Sequence, residues 1–160
     1  MSVANFASWL DATSVSLALK NNFWAVPTLQ SIHILAVCLV FTSAVIVFLR
    51  AWNLVGTDWT AERWARRLYP PHWWALLVLL VTGIFQVLAE PMRELPNPAF
   101  QIKMVCVLIA VPLALWIARQ FYSGRDDAAT RLPTRSASIV MVALWFVIIF
   151  AGRWIAYASA

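Results

Sequence analysis

Four apolar runs, each long enough to cross a lipid bilayer, constrain this chain more than any other feature. They fall at about residues 24–49, 70–89, 98–122 and 136–157. A spanning helix needs about 20 predominantly apolar residues, because the hydrocarbon layer is about 30 Å thick and a helix rises about 1.5 Å per residue. No water reaches that layer, so each run must satisfy its own backbone N–H and C=O groups, and a helix does so. Of 160 residues, 62% are hydrophobic and 12% charged, against about 25% charged in a usual soluble domain. One small aqueous core cannot hide that much apolar surface. Four spans also leave few residues for a soluble module, so residues 1–160 read as one membrane domain. The expected fold class is all-α: a transmembrane up-down four-helix bundle preceded by a short amphipathic helix.

Local signals set the ends of the runs. Pro27 falls in the first turn of the first run, where a missing N–H costs little. Pro70-Pro71 is read as the start of the second and Glu90-Pro91 as its end. Asn97-Pro98 opens the third as a cap followed by a first-turn proline. Pro112 lies inside it. Thr134 or Ser136 is expected to cap the fourth. Residues 4–20 read as one amphipathic helix, with Phe6, Trp9, Leu10 and Leu17 on one face, lying in the membrane interface or against the bundle. Residues 1–20 have no basic n-region, so insertion is expected through the first span rather than a cleaved signal.

The net charge of +5 is not a nucleic-acid footprint, because the basic residues cluster between apolar runs. The connection 50–69 carries Arg50, Arg63, Arg66 and Arg67, and 119–135 carries Arg119, Arg125, Arg131 and Arg135. The connection 90–103 carries only Arg93 and Lys103. The positive-inside rule then makes the two arginine-rich loops cytoplasmic and both termini periplasmic or exterior. Trp24, Trp73, Trp74, Trp154 and Tyr157 fall near run ends, as an interfacial aromatic belt would. The arginines are read as topology determinants that also touch anionic lipid. Cys38 and Cys106 sit inside apolar runs as small hydrophobes.

Polar groups in hydrocarbon are costly, so each is a candidate site residue. Counted by depth, Gln30, His33, Gln86, Glu90, Lys103 and Arg153 fall in the outer half of the bundle, with Gly83 and Gly152 beside them. On the second run His72, Leu79, Gly83, Gln86 and Glu90 share a face. The inner half reads as almost wholly apolar, and His72 as an interfacial residue beside Pro71 and Trp73. In a purely structural reading Glu90 pairs with Lys103 or Arg153, and His33 donates to a carbonyl or to Thr82. In a second reading His33 ligates the iron of a b-type haem, with Lys103 and Arg153 on its propionates; Met104 at a suitable depth is a candidate second ligand, and a five-coordinate haem, a ligand from another subunit or two separate haems are the other arrangements. His72 is a weaker candidate metal ligand, because it lies roughly 15–20 Å from His33 along the bundle axis. In a third reading Met92, Met104, Cys106 and His33 handle copper. No phosphate-binding glycine loop and no hydrolase triad occurs in the sequence.

Several short motifs together resemble a family of small bacterial four-span membrane proteins of unassigned function. They are Phe23, Trp24, Pro27 and His33, then Thr82-Gly83, then Asn97-Pro98-Ala99-Phe100 with Lys103, and last Gly152-Arg153-Trp154-Ile155-Ala156-Tyr157. The resemblance covers nearly the whole chain. More distantly, the layout is similar to the four-helix cores of copper-resistance D proteins and of cytochrome b561-like di-haem proteins. That likeness implies a bacterial inner-membrane location and quinone-linked electron transfer, although this chain lacks their paired histidines. The combined expectation is a non-catalytic or electron-transfer subunit among membrane lipids. It carries haem b or faces a quinone, and it anchors a periplasmic or membrane redox partner. A structural or assembly subunit without a prosthetic group is the alternative.

Overall fold

Residues 3–155 are described by a computed structural model, and no strand occurs among them. Residues 156 and 157, the end of the expected fourth run and of its motif, lie outside the described residues. In chain order the helices are α1 (Val3–Asp11), α2 (Ser14–Asn21), α3 (Ala25–Ala51), α4 (Ala61–Ala89), α5 (Pro91–Glu94), α6 (Pro98–Tyr122), α7 (Asp126–Thr130) and α8 (Leu132–Ile155). Helices α3, α4, α6 and α8 are long and apolar enough to span a membrane. They have 27, 29, 25 and 24 residues, which at helical rise is about 36–44 Å, enough to cross the hydrocarbon and enter both headgroup layers. The chain is an integral, multi-pass membrane protein.

The four spans close a ring. Helix α3 packs most extensively on α4 and α6 on α8, while α3 against α8 and α4 against α6 complete it. The buried seam of α8 runs Thr134, Ser138, Met141, Trp145, Ile148 and Ile155, in steps of three, four or their sum. That spacing is the 3.5-residue period of left-handed bundle packing. The facing seams are rich in small residues, with Ala36, Ala44 and Ala51 on α3 and Ala110, Ala114 and Ala118 on α6. Between membrane helices, small residues let backbones approach and gain dispersion contact, since lipid offers no hydrophobic drive to associate.

Three boundaries differ from the sequence reading, each for a local reason. The expected single helix over 4–20 is two helices. The Thr13 hydroxyl donates to the Leu10 carbonyl at 2.7 Å and accepts from the Ser16 N–H at 3.3 Å, so it ends α1 and caps α2. Ala7 and Ser16 are buried while Phe6 and Trp9 stack on each other facing outward, so this pair of helices both packs on the bundle and presents aromatics to its surroundings.

Helix α4 begins at Ala61, not at the prolines. Thr60 accepts from the Arg63 N–H, Arg66 pairs with Glu62 at i,i+4, and the helix continues through Pro70 and Pro71. The carbonyls those prolines leave unpaired lie in the arginine turn, where Arg66 is largely exposed and water is within reach.

Helix α8 begins at Leu132, with Pro133 in its first turn. Neither expected cap acts as one. The buried Thr134 hydroxyl donates to the Ala128 carbonyl at 2.7 Å, and that of Ser136 to the Pro133 carbonyl at 3.0 Å. Helix α6, by contrast, starts where expected, with Asn97 accepting from the Ala99 N–H at 2.9 Å.

The arginine-rich end is also a built corner. Arg50 is buried and donates to Asn53 Oδ1 at 2.7 Å and to the Trp59 carbonyl at 3.1 Å. Arg135 donates to the Ala51 carbonyl at 3.0 Å, and Arg63 lies over the Trp59 ring at 4.0 Å. These three arginines therefore hold the loop as well as carrying charge.

Candidate functional site

Towards the α5 end, His33 on α3 meets Thr82 on α4. His33 Nδ1 lies 2.7 Å from Thr82 Oγ1, and that hydroxyl in turn donates to the Val78 carbonyl at 2.6 Å. A hydroxyl has one proton. With it committed to Val78, Thr82 accepts from His33, which fixes the proton on Nδ1 and leaves Nε2 as a hydrogen-bond acceptor. Gly83 lies beside the ring, where a Cβ would stand 3.6 Å from His33 Cε1, an ordinary contact distance.

Lys103 enters the same level from α6. It follows Ala99 by four residues and precedes Cys106 by three, on the seam that turns toward the bundle, and it is half-buried. Its Nζ lies against Gly152 of α8, 3.9 Å from where a Cβ would be, and its charge acts on both His33 and Glu94. Gln86, one turn beyond Thr82, is half-buried, and its Nε2 has no hydrogen-bond partner among the described residues. All four spans therefore contribute to one polar level: an acceptor on His33, donors on Lys103 and Gln86, and Gly152 against the lysine.

Other sequence candidates do not turn inward. Gln30 and Arg153 are exposed, and Met104 is 40% exposed. Met104 sits about 100° around α6 from Lys103, off the inward seam. Glu90 forms its ion pair with Arg93, one turn along the chain, rather than with Lys103 or Arg153. The acid beside Lys103 is Glu94, which the sequence reading passed over. The four-residue α5, opened by Pro91, folds Glu94 back under the bundle, and burial lifts its carboxyl above the ordinary carboxylate range. Lys103 and Arg93 oppose that shift and Glu90 adds to it.

The inner half of the bundle encloses a polar group, because His72 turns into the packed interior rather than onto the bundle surface. It is 3% exposed and neither ring nitrogen has a hydrogen-bond partner among the described residues. Its neighbours along α4, Ala65, Tyr69, Ala75 and Thr82, are all buried at seam spacing. That spacing was the available signal, and it outweighs the flanking Pro71 and Trp73. Tyr69 and Trp73 meet the imidazole edge-on, with ring centres 5.8 and 5.2 Å away. Beside it lies a cavity of about 20 Å³ walled by Ser43, Tyr69, His72, Ala114, Ile117 and Met141 among others, room for about one water. Since His33 stands level with Thr82, ten residues of α4 separate the two histidines, roughly 15 Å along the axis.

These positions bear on a haem with two axial ligands from this chain. Two axial ligands must stand only a few ångströms apart across the macrocycle. His33 and His72 are too distant, Met104 faces outward, and His33 already lies in contact with α4 through Thr82 and Gly83. The residues present do not fit a haem held by two ligands of this chain. Among the described residues, no three of His, Cys, Asp and Glu gather closely enough to hold a metal ion.

Against known proteins, the family model described as "Family of unknown function (DUF6644)" matches residues 8–158. No curated protein and no solved structure matches the chain.

Proposed function

The chain belongs to the DUF6644 family of unknown function, and on that premise we propose that it is a membrane subunit whose polar level near α5 holds the head of a membrane quinone. The observation that carries this reading is the contact of His33 Nδ1 with a Thr82 hydroxyl that itself donates to the Val78 carbonyl, from which the His33 tautomer is inferred. The His33 Nδ1–H is committed to Thr82, so Nε2 is an acceptor suited to a quinol hydroxyl. Lys103 and Gln86 at the same level supply donors suited to a quinone carbonyl. A head that presents carbonyl oxygens when oxidised and hydroxyls when reduced can use the donors in one state and the acceptor in the other, and its apolar tail is at home in lipid. Electrons would pass to or from a redox partner docked at the α5 end.

In this proposal the protein lies in a bacterial inner membrane with the arginine-rich corner cytoplasmic and α5 periplasmic. In a Cys38→Ala, Cys106→Ala background, a membrane-impermeant thiol reagent added outside should label Met92→Cys and spare Arg66→Cys. Both native positions are exposed, and the reverse labelling would invert the orientation.

Binding is tested with a short-tail quinone titrated into the protein in nanodiscs, read by tryptophan fluorescence. His33→Ala and Lys103→Met should each weaken binding about tenfold or more, roughly 1.4 kcal/mol, while Met104→Leu should not. Equal affinity in all four proteins would overturn the assignment and favour a structural subunit. An absorption spectrum of protein expressed with haem supplied checks the haem reading on the same sample.

A further inference from the structure

Residues just outside the spans form a second polar feature, distinct from the His33 level. Asp11 at the end of α1, Lys20 on α2, and Glu90, Met92 and Arg93 around α5 wall an open groove of about 240 Å³. Lys20 pairs with Asp11, and Arg93 pairs with Glu90. Arg93 keeps an Nε–H with no acceptor among the described residues. The groove thus holds two cations and two anions, with no net charge.

Its depth in the membrane follows from the spans. Helix α3 starts at Ala25 and α4 ends at Ala89, and helices of this length overrun the hydrocarbon by several ångströms at each end. Spans of this length would carry residues 20 and 90–93 into the headgroup layer. Exposed aromatics ring the same end: Phe6 and Trp9 on α1, Phe23 and Trp24 before α3, and Trp154 on α8. Tryptophan at that depth is characteristic of the lipid–water interface.

The geometry points to a binding site for the headgroup of a phosphoethanolamine lipid in this groove. Its phosphate would meet Lys20 and Arg93, and its primary ammonium would meet Asp11 and Glu90. Charge selects the class. An anionic headgroup would gain two cations but face two carboxylates, whereas a zwitterion answers both signs. Hydrogen bonding selects within the class, because a primary ammonium donates three hydrogen bonds and a quaternary choline none.

The test is lipid retention by the full-length protein, extracted from vesicles of equal parts phosphoethanolamine, phosphocholine and phosphoglycerol lipid and measured by native mass spectrometry. The wild type should retain phosphoethanolamine lipid at least fivefold over phosphocholine, and stepwise N-methylation of the headgroup should lower retention stepwise. Asp11→Asn with Glu90→Gln should abolish that preference and turn retention toward phosphoglycerol. Lys20→Met with Arg93→Met should lose all three. An excess of soluble phosphoethanolamine should compete only weakly, since the acyl chains hold the lipid in place. Equal retention of the three lipids by the wild type overturns the site. The methylation series needs no variant, so a variant that fails to fold leaves the test intact. Strong competition by the soluble headgroup would instead assign the groove to a free solute.

Discussion

His33 Nδ1 and Thr82 Oγ1 stand 2.7 Å apart, and this bond joins α3 to α4 at the depth of the proposed quinone site. Replacing Thr82 by Val keeps the shape and removes the acceptor, leaving the imidazole N–H stranded between helices. Membrane hydrogen bonds contribute about 0.6 kcal/mol on average and up to about 1.7. An orphaned polar group adds its own desolvation cost. The expected loss is therefore about 1–2 kcal/mol in unfolding from mixed micelles, with Thr82→Ser close to wild type. The same variant frees the tautomer, so quinone affinity should fall along with stability. A stability loss at unchanged affinity would separate the packing role of Thr82 from its role in orienting His33.

His72 poses the opposite case. It is buried with both nitrogens unpartnered among the described residues, beside a cavity of about 20 Å³. Removing a polar group that has no partner relieves a desolvation cost of about 1–3 kcal/mol. A leucine of similar volume also packs against Tyr69 and Met141. His72→Leu is expected to be neutral or to stabilise by up to about 1 kcal/mol in the same unfolding assay. Destabilisation by more than about 2 kcal/mol would show that the imidazole has a partner in the membrane, such as an ordered water.

The contrast between these two histidines shows what the sequence could and could not reveal. Depth can be counted in the sequence: the four apolar runs put Gln30, His33, Gln86, Glu90, Lys103 and Arg153 in one half of the bundle. Direction around each helix cannot, because it depends on which seam each helix buries. Lys103 and Met104 are adjacent in sequence, yet one turns inward and the other is 40% exposed. For His72 the seam spacing is visible in the sequence, where it competes with the interfacial signal of the neighbouring proline and tryptophan. Strong local chemistry was read correctly at α6, where Asn97 and Pro98 agree. It misled at α4, where Pro70-Pro71 reads as a break but lies inside a helix already begun by the Thr60 cap. Glu94 was hidden because its burial depends on a single helical turn, α5, bending the chain back.

The corner between α3 and α4 depends on Gly56. It has φ +68°, and a Cβ there would come within 2.3 Å of the Trp64 ring, whose Nε1–H donates to the Gly56 carbonyl at 2.9 Å. Alanine meets two penalties, a left-handed backbone costing about 1 kcal/mol and an overpacking cost of about 1–3 kcal/mol. Gly56→Ala should therefore lose about 2–4 kcal/mol, and limited proteolysis should cut first at the loop between α3 and α4. The other positive-φ glycine is a control. At Gly124, with φ +68°, a Cβ would stand 3.7 Å from Glu62, so Gly124→Ala should carry only the backbone part. Equal losses at the two sites would remove Trp64 from the explanation.

Glu94 gives the protein a pH dependence of known sign. Burial raises its carboxyl above the ordinary range, and Lys103 and Arg93 only partly offset that. Below the ordinary carboxylate pKa, about 4.3, Glu94 is protonated both folded and unfolded and contributes no slope. As pH rises past that value the unfolded chain ionises first, so stability falls. The fall continues until the folded carboxyl ionises as well, and above that point the penalty is constant. One proton gives at most about 1.4 kcal/mol per pH unit within that window. Glu94→Gln should remove this slope, so wild-type stability minus that of the variant should decline as pH is raised from 4 through the window and then level off. A difference that stays flat, or that grows with pH, would mean that Glu94 is held ionised by Lys103 and is not raised by burial.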